Sequence, residues 1–459
     1  MQTKIPLLNR ELGVLEFNSR VLAQAEDPKT PLLERLRFVC IVSSNMDEFF
    51  EIRMSGIKEQ LKSNTKNKTP DGLPITEAYK VVTAQAHALV ARKYRLLQEE
   101  IIPKLNKEGV GFFTSAQWTP AQRAWAKKFF HDELVPLLTP IALDPAHPFP
   151  KVINKSLNFF VTLEGEDSFG RKPKLAVVQA PRSLPRVVPM PKHLCDQPYG
   201  FVLLSSFMQA FVPELFQGMT VSGCHQFRVT RNSDLFVSED DITDLREALQ
   251  GELPTRHLGD AVRLEITADM PEDLTDYLLK VESLNREDCY QVNGPVNLVR
   301  LVQIPDLVDI PKFKFPNHQP THSVELTTGE SLLDKISRED ILLHHPYQSF
   351  DPVLKMLKEA ARDPNVLAIK QTVYRTGEQS LVMDALMEAA KNGKEVTVVV
   401  ELLARFDEQT NIGWAAKLEA VGAHVVYGVV GHKCHAKMLL VVRKETIPAE
   451  GRRKAKTIL

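Results

Sequence analysis

No apolar run in the 459 residues approaches the ~18–20 needed to cross a bilayer. The opening MQTKIPLLNRELG has no signal-peptide apolar core. Five cysteines, Cys40, Cys195, Cys224, Cys289 and Cys434, are scattered without a CxxC spacing. That argues against a zinc site and for a reducing compartment. The isolated histidines His147, His193, His225 and His257 have no metal-ligand spacing either. A Gly-rich Walker loop is missing, which excludes a P-loop enzyme. With a formal net charge of −1, no global field steers an anion, so a polyanion site must be a local basic cluster. No nucleic-acid partner is expected. Together these absences point to a cytoplasmic protein.

What is present is a composition able to bury a large core, 43% hydrophobic and 25% charged, in a chain long enough for two to four domains. Residues 1–106 read as a helical N-terminal domain. Leu32, Leu33, Leu36, Phe38 and Val39, then Phe49, Phe50, Ile52 and Met54, form a buried helical stripe. Within it, SSNMDEFF (43–50) reads locally as a helix interruption with its own cap, because Ser, Asn and Asp favour caps and turns. Residues 107–320 mix short strands (157–163, 175–179, 186–188, 200–204, 262–267) with helices (120–138, 240–250, 271–279), as in a mixed α+β middle domain. A Pro- and Lys-bearing connector (310–328) leads to 321–445, where strands at 366–372, 395–402, 424–427 and 438–442 alternate with helices at 353–361, 381–391 and 412–420. Asn392–Gly393 and Gly422 are left-handed stop signals. The pattern predicts right-handed βαβ units and a parallel sheet.

In an open α/β sheet, ligands bind beyond the carboxyl ends of the strands. Arg375 follows the first strand and Arg405 the second. The knot His432–Lys437 follows the third, and its His435 and Lys437 are spaced to face one side of a strand. An imidazole can take a phosphoryl group on a ring nitrogen. Guanidinium forks and an ammonium can hold phosphate oxygens. Taken singly, His435 reads as well as a structural histidine at a strand end, and each arginine as a surface ion pair. Their placement at successive strand ends favours a shared crevice.

The motifs SSNMDEFFEIR (43–53), DILLHHPYQSF (340–350), KQTVYRTG (370–377), ELLARFDEQTNIGWAAKLEAVGAHVVYG (401–428) and GHKCHAKM (431–438) resemble those of the bacterial polyphosphate kinases with a phospholipase-D-like catalytic fold. The resemblance runs from about residue 5 to about 445. It implies reversible transfer of the ATP γ-phosphate to inorganic polyphosphate through a phosphohistidine. It also implies magnesium as cofactor, ATP and ADP as substrates, a homo-oligomer, and a cytoplasmic location that admits peripheral association with the inner membrane. Residue by residue, His435 matches the phosphorylated histidine, with Lys437 beside it. Asn45 matches a nucleotide contact, against its local reading as part of a cap. Arg375 and Arg405 match positions to which the family's metal site is assigned. A guanidinium offers no lone pair, so the two are expected to hold phosphates that carry the metal.

The sequence departs from the phospholipase D pattern HxKxxxxD at Val442, where the acidic residue would stand. A phospholipase-D-like phosphodiesterase and a non-catalytic polyphosphate- or nucleotide-binding module stay as alternatives. The fold resembled uses two pseudo-equivalent halves, each with a histidine, and 321–445 corresponds to the first. Residues 446–459 read as a non-matching, disordered basic tail. The expectation is a truncated or frameshifted product that binds ATP weakly, synthesises polyphosphate poorly, and aggregates or pairs to cover a bare sheet face.

Overall fold

The computed structural model describes residues 7–63, 67–143, 148–167, 170–234, 245–253, 255–323, 326, 329–377, 379–428, 432–449 and 452–458. His147 and part of the expected helix at 240–250 lie outside them. The chain divides into two compact units, one comprising 1–234 with 255–316 and the other 235–254 with 317–459. No helix among the described residues is long and apolar enough to cross a membrane.

The first unit begins with helices α1 (Arg10–Glu26), α2 (Leu32–Glu48), α3 (Ser55–Lys62) and α4 (Ile75–Leu96). Asn9 starts α1, its side chain accepting the Leu12 N–H at 3.0 Å. The polar run 43–48 does not interrupt α2, which corrects the cap reading. The helix continues to Glu48 and widens into a π-helical turn at Phe49–Met54. Burial of Met46, Phe49, Phe50 and Met54 outweighs the local preference of Ser, Asn and Asp for caps.

Among the described residues of this unit the strands that follow are β1 (Val110–Phe112), β2 (Ile141–Ala142), β3 (Asn158–Gly165), β4 (Leu175–Gln179), β5 (Val187–Pro189), β6 (Tyr199–Leu203), β7 (Met219–Arg231), β8 (Ala261–Thr267) and β9 (Cys289–Val292). They form a sheet of order β1-β6-β5 and a larger one of order β2-β4-β3-β7-β8-β9. Helical and sheet residues share a core: Leu22, Leu36, Val82 and Ile101 cluster with Phe159, Val161, Phe201 and Val202. On β7 and β8 the side chains alternate. Phe227, Val229, Leu264 and Ile266 join a second core with Leu274 and Leu278. Arg228, Arg263 and Glu265 meet Asp47 of α2 in a buried ion-paired cluster, with Arg228 and Arg263 reaching Asp47 Oδ1 at 2.5 and 2.6 Å.

In the second unit, α5 (Asp351–Arg362), β10 (Val366–Val373), α6 (Leu381–Lys391), β11 (Glu395–Val400), α7 (Glu408–Ala420) and β12 (His424–Tyr427) build the expected βαβ units. β10, β11 and β12 are parallel and adjacent. Ile369 and Val373 stand level with Val396 and Val400, and these pack with Leu357, Leu386, Ile412 and Leu418. Gly393 (φ 79°) and Gly422 (φ 86°) end α6 and α7 in the left-handed region that glycine enters freely.

Two expectations are corrected here. The sheet is not purely parallel, because β13 (Leu439–Ala449) runs antiparallel against β10 in the order β12-β11-β10-β13-β14. Only residues 428–438 join β12 to β13, and a parallel connection needs a dozen or more residues, usually with a helix. Residues 432–438 of this short link lie at the strand ends instead and lead into β13 from that side. Nor do the described residues of the expected disordered tail, 446–449 and 452–458, lack structure. β14 (Arg452–Ile458) pairs antiparallel with β13 from Arg443↔Ile458 to Ala449↔Arg452. The outer edge of β13 presents a row of backbone groups, and a second strand satisfies them.

Candidate active site

The parallel strands β10, β11 and β12 end on one edge of the sheet, and residues 432–438, which lead into β13, pass over that edge. Two strand ends hold it. The buried Glu401, just past β11, accepts the Cys434 backbone N–H at 2.7 Å and the Leu403 N–H at 3.0 Å. Thr372, near the end of β10, donates its hydroxyl to the Ala436 carbonyl at 2.6 Å and accepts the Met438 N–H at 2.8 Å. Lys433 Nζ adds a bond to the Leu403 carbonyl at 2.9 Å. The segment carrying His435 is therefore fixed on both sides of the histidine.

His435 and Lys437 are both exposed and precede β13, so strand alternation does not bring them together. The Tyr374 ring does. The His435 ring stands edge-on to it with centroids 4.7 Å apart, and Lys437 Nζ lies 4.6 Å from its centroid. Lys437 Nζ also donates to the His435 carbonyl at 2.5 Å. The Arg375 guanidinium lies 5.6 Å from the same ring. Arg375 Nε pairs with Asp407 at 2.8 Å and its Nη2 donates to the Arg405 carbonyl at 2.9 Å. Asn411 is fully buried beneath and donates to the carbonyls of both Tyr374 and Glu401, at 2.9 and 2.8 Å, tying the two strand ends together.

Of the expected residues, the structure gathers Arg375, His435 and Lys437 round Tyr374 and joins Arg375 to the Arg405 main chain. Tyr374, Asp407, Glu401 and Asn411 were not singled out from the sequence. Tyr374 and Asp407 sit inside motifs already picked out, next to the two arginines. Glu401 ends the otherwise apolar run VTVVV, and a carboxylate in that position signals a job at the strand end. Asn45 lies in the first unit, half-buried on α2, where its Nδ2 donates to Asn18 Oδ1 at 2.8 Å. Its neighbours Asp47, Phe49 and Phe50 are buried, so most of that motif serves packing.

Arg375 and Arg405 do not fit a metal ion, since a guanidinium has no acceptor atom. Asp407 is engaged by Arg375, and among the described residues no group of three His, Cys, Asp or Glu is placed to hold a metal. The cations at this edge suit an anionic substrate instead, with cationic donors that match phosphate oxygens.

Comparison with known proteins places the chain, domain by domain, in one family. Family models for the polyphosphate kinase N-terminal domain, middle domain and C-terminal domain 1 match residues 7–113, 121–304 and 331–453. Polyphosphate kinases of Burkholderia multivorans and Paraburkholderia phytofirmans are 62% and 60% identical over 444 and 447 residues, each covering 97% of this chain. The crystal structure of polyphosphate kinase from Porphyromonas gingivalis superposes with a TM-score of 0.80 at 27% identity, covering 98% of this chain and 63% of that one. The chain belongs to the polyphosphate kinase family. It spans 65% of the length of these two curated relatives.

Proposed function

We propose that this chain takes part in ATP:polyphosphate phosphotransfer, with His435 as the phosphoryl acceptor. The observation that carries the reading is the exposed imidazole held over the strand ends beside Lys437 and Arg375. A ring nitrogen of His435 forms a P–N bond to the γ-phosphorus as the β–γ bridging oxygen leaves on ADP. A terminal polyphosphate oxygen then attacks the same phosphorus, breaks the P–N bond and frees the imidazole. Lys437 and the Arg375 fork hold the equatorial oxygens, where positioned charge lowers the barrier for a loose transition state. Arg405 joins them as a phosphate holder, and Asn45 contributes to binding the nucleotide. Glu401 and Thr372 are positioning residues. Magnesium is the family's cofactor by resemblance; the matching arginines cannot ligate it, so any such ion would be carried by the bound phosphates.

The test uses ATP labelled in the γ-phosphate, in the presence and absence of polyphosphate. Acid-labile label on the chain, absent from His435→Ala and chased into polyphosphate, is the expected result. Binding without label, or phosphodiester cleavage without ATP, would replace this reading with a binding module or a phosphodiesterase. Val442 at the acidic position of HxKxxxxD speaks against the second.

A further inference from the structure

The first unit contains a second group of cations that the phosphotransfer site does not use. Arg186, at the start of β5, has a buried Nη1 with no hydrogen-bond partner. It lines a small cleft with Arg300, Gln226, Ser205 and Asn297. Gln226 is 6% exposed, and its Oε1 is likewise buried without a partner. Burial, then Arg300 and Arg182, push the Arg186 guanidinium down to about 10. Among the described residues no carboxylate pairs with Arg182, Arg186 or Arg300, although ion pairs are plentiful elsewhere in this unit. Like charges held together with a buried donor left open are costly unless an anion completes them.

We propose that this cleft of the first unit is a phosphate-oxyanion site that takes the end of a polyphosphate chain or of a nucleotide triphosphate. The enclosed room is about 20 Å³, enough for little more than one oxygen-sized group. One terminal oxygen therefore reaches the buried Arg186 nitrogen, while the rest of the phosphate stays at the mouth beside the exposed Arg300. The Gln226 amide turned by 180° offers its NH2 group to the same oxygen. Ser205 and Asn297 supply further polar groups on the wall. A terminal phosphate, bonded to one neighbour and not two, brings a non-bridging oxygen into so small a cleft with less crowding than an internal one. The site needs only an oxyanion, so it stands or falls independently of the His435 chemistry.

The experiment is titration calorimetry of this chain with tripolyphosphate and, separately, with ATP, at fixed ionic strength. Arg186→Gln and Arg300→Gln are compared with wild type and with Arg375→Ala. Arg300 is exposed, so its variant tests the site without disturbing the core. The expected result is one class of tripolyphosphate binding that weakens about tenfold or more in both variants, as for a lost charge-assisted hydrogen bond. It should persist in Arg375→Ala, and γ-label transfer to His435 should be unchanged in Arg186→Gln and Arg300→Gln. If ATP shares the affinity, the nucleotide is the occupant; if only tripolyphosphate binds, it is the inorganic chain end. Unchanged binding in both variants overturns the proposal, as does equal competition by chloride. A fall in solution mass in Arg300→Gln, showing that these arginines meet carboxylates of a second copy, overturns it too.

Discussion

The Glu401 carboxylate accepts the backbone N–H of Cys434, the residue before His435, at 2.7 Å. A buried acid at the end of β11 thus sets the position of an exposed imidazole that it does not touch. Glu401→Gln keeps the size but loses the charge and one acceptor oxygen. Hydrogen bonds to charged groups are worth about 1.5–3 kcal/mol, so the link should loosen by roughly tenfold or more. Faster amide exchange at Cys434 and slower labelling of His435, with the fold intact, are the expected readings. Normal exchange at Cys434 would show that Thr372 holds the segment unaided.

Arg375 bridges Asp407 and the Arg405 carbonyl with two different nitrogens. A lysine cannot span both, so Arg375→Lys should act as a loss and not as a conservative change. The expected outcome is a roughly tenfold higher half-saturation for the phosphate substrate, and a larger effect for Arg375→Ala. Labelling rates against ATP concentration decide it; a wild-type curve for Arg375→Lys would reduce the role of the fork to simple charge.

Asp47 lies between Arg228 and Arg263. Burial pushes its carboxyl pKa up, but the two guanidiniums pull it further down, leaving it well below the usual carboxylate range. Because the folded pKa is depressed, the stabilisation is present above the unfolded value of about 3.9 and is lost as pH falls toward the folded one. Asp47→Asn should cost about 3–5 kcal/mol near pH 7, since it strands buried cations. The gap in thermal midpoint between wild type and variant should narrow below about pH 4. A gap that stays constant down to pH 2 would remove Asp47 from the acid response.

Gly393 and Gly413 both have open space where a Cβ would go, yet only Gly393 has a positive φ. Gly393→Ala should therefore destabilise by about 1–2 kcal/mol through backbone conformation alone. Gly413→Ala, inside α7, should stabilise by about 0.5–1 kcal/mol. Denaturant melts of the two variants should shift in opposite directions, and a shift of the same sign in both would contradict the conformational account.

The elements of the second unit were legible because period and punctuation agree there. Apolar runs rich in valine mark β10 and β11, and glycine at 393 and 422 marks the helix ends. Arg375, His435 and Lys437 were legible because strand ends in such sheets collect ligand groups. The direction of β13 was missed by reading its apolar run without measuring the link before it. Tyr374, Glu401 and Asn411 were missed for a different reason: each acts on main-chain groups or through a ring face, and neither contact leaves a spacing pattern in the chain. The strand at 452–458 was missed because RRKAKTI has no apolar periodicity, the signal by which the other strands were read.

The antiparallel entry of β13 carries a consequence in time. Gln371 stands opposite Leu439, so the flank of β10 closes only after a long stretch of chain has been laid down. Pairings between residues so far apart in sequence form late, because loop closure must come first. The histidine sits immediately ahead of that late-forming strand, and Thr372 can grip its segment only once the two strands have met. The setting proposed for His435 is therefore assembled near the end of folding, and in a nascent or half-folded chain the histidine is present without the groups that fix its segment.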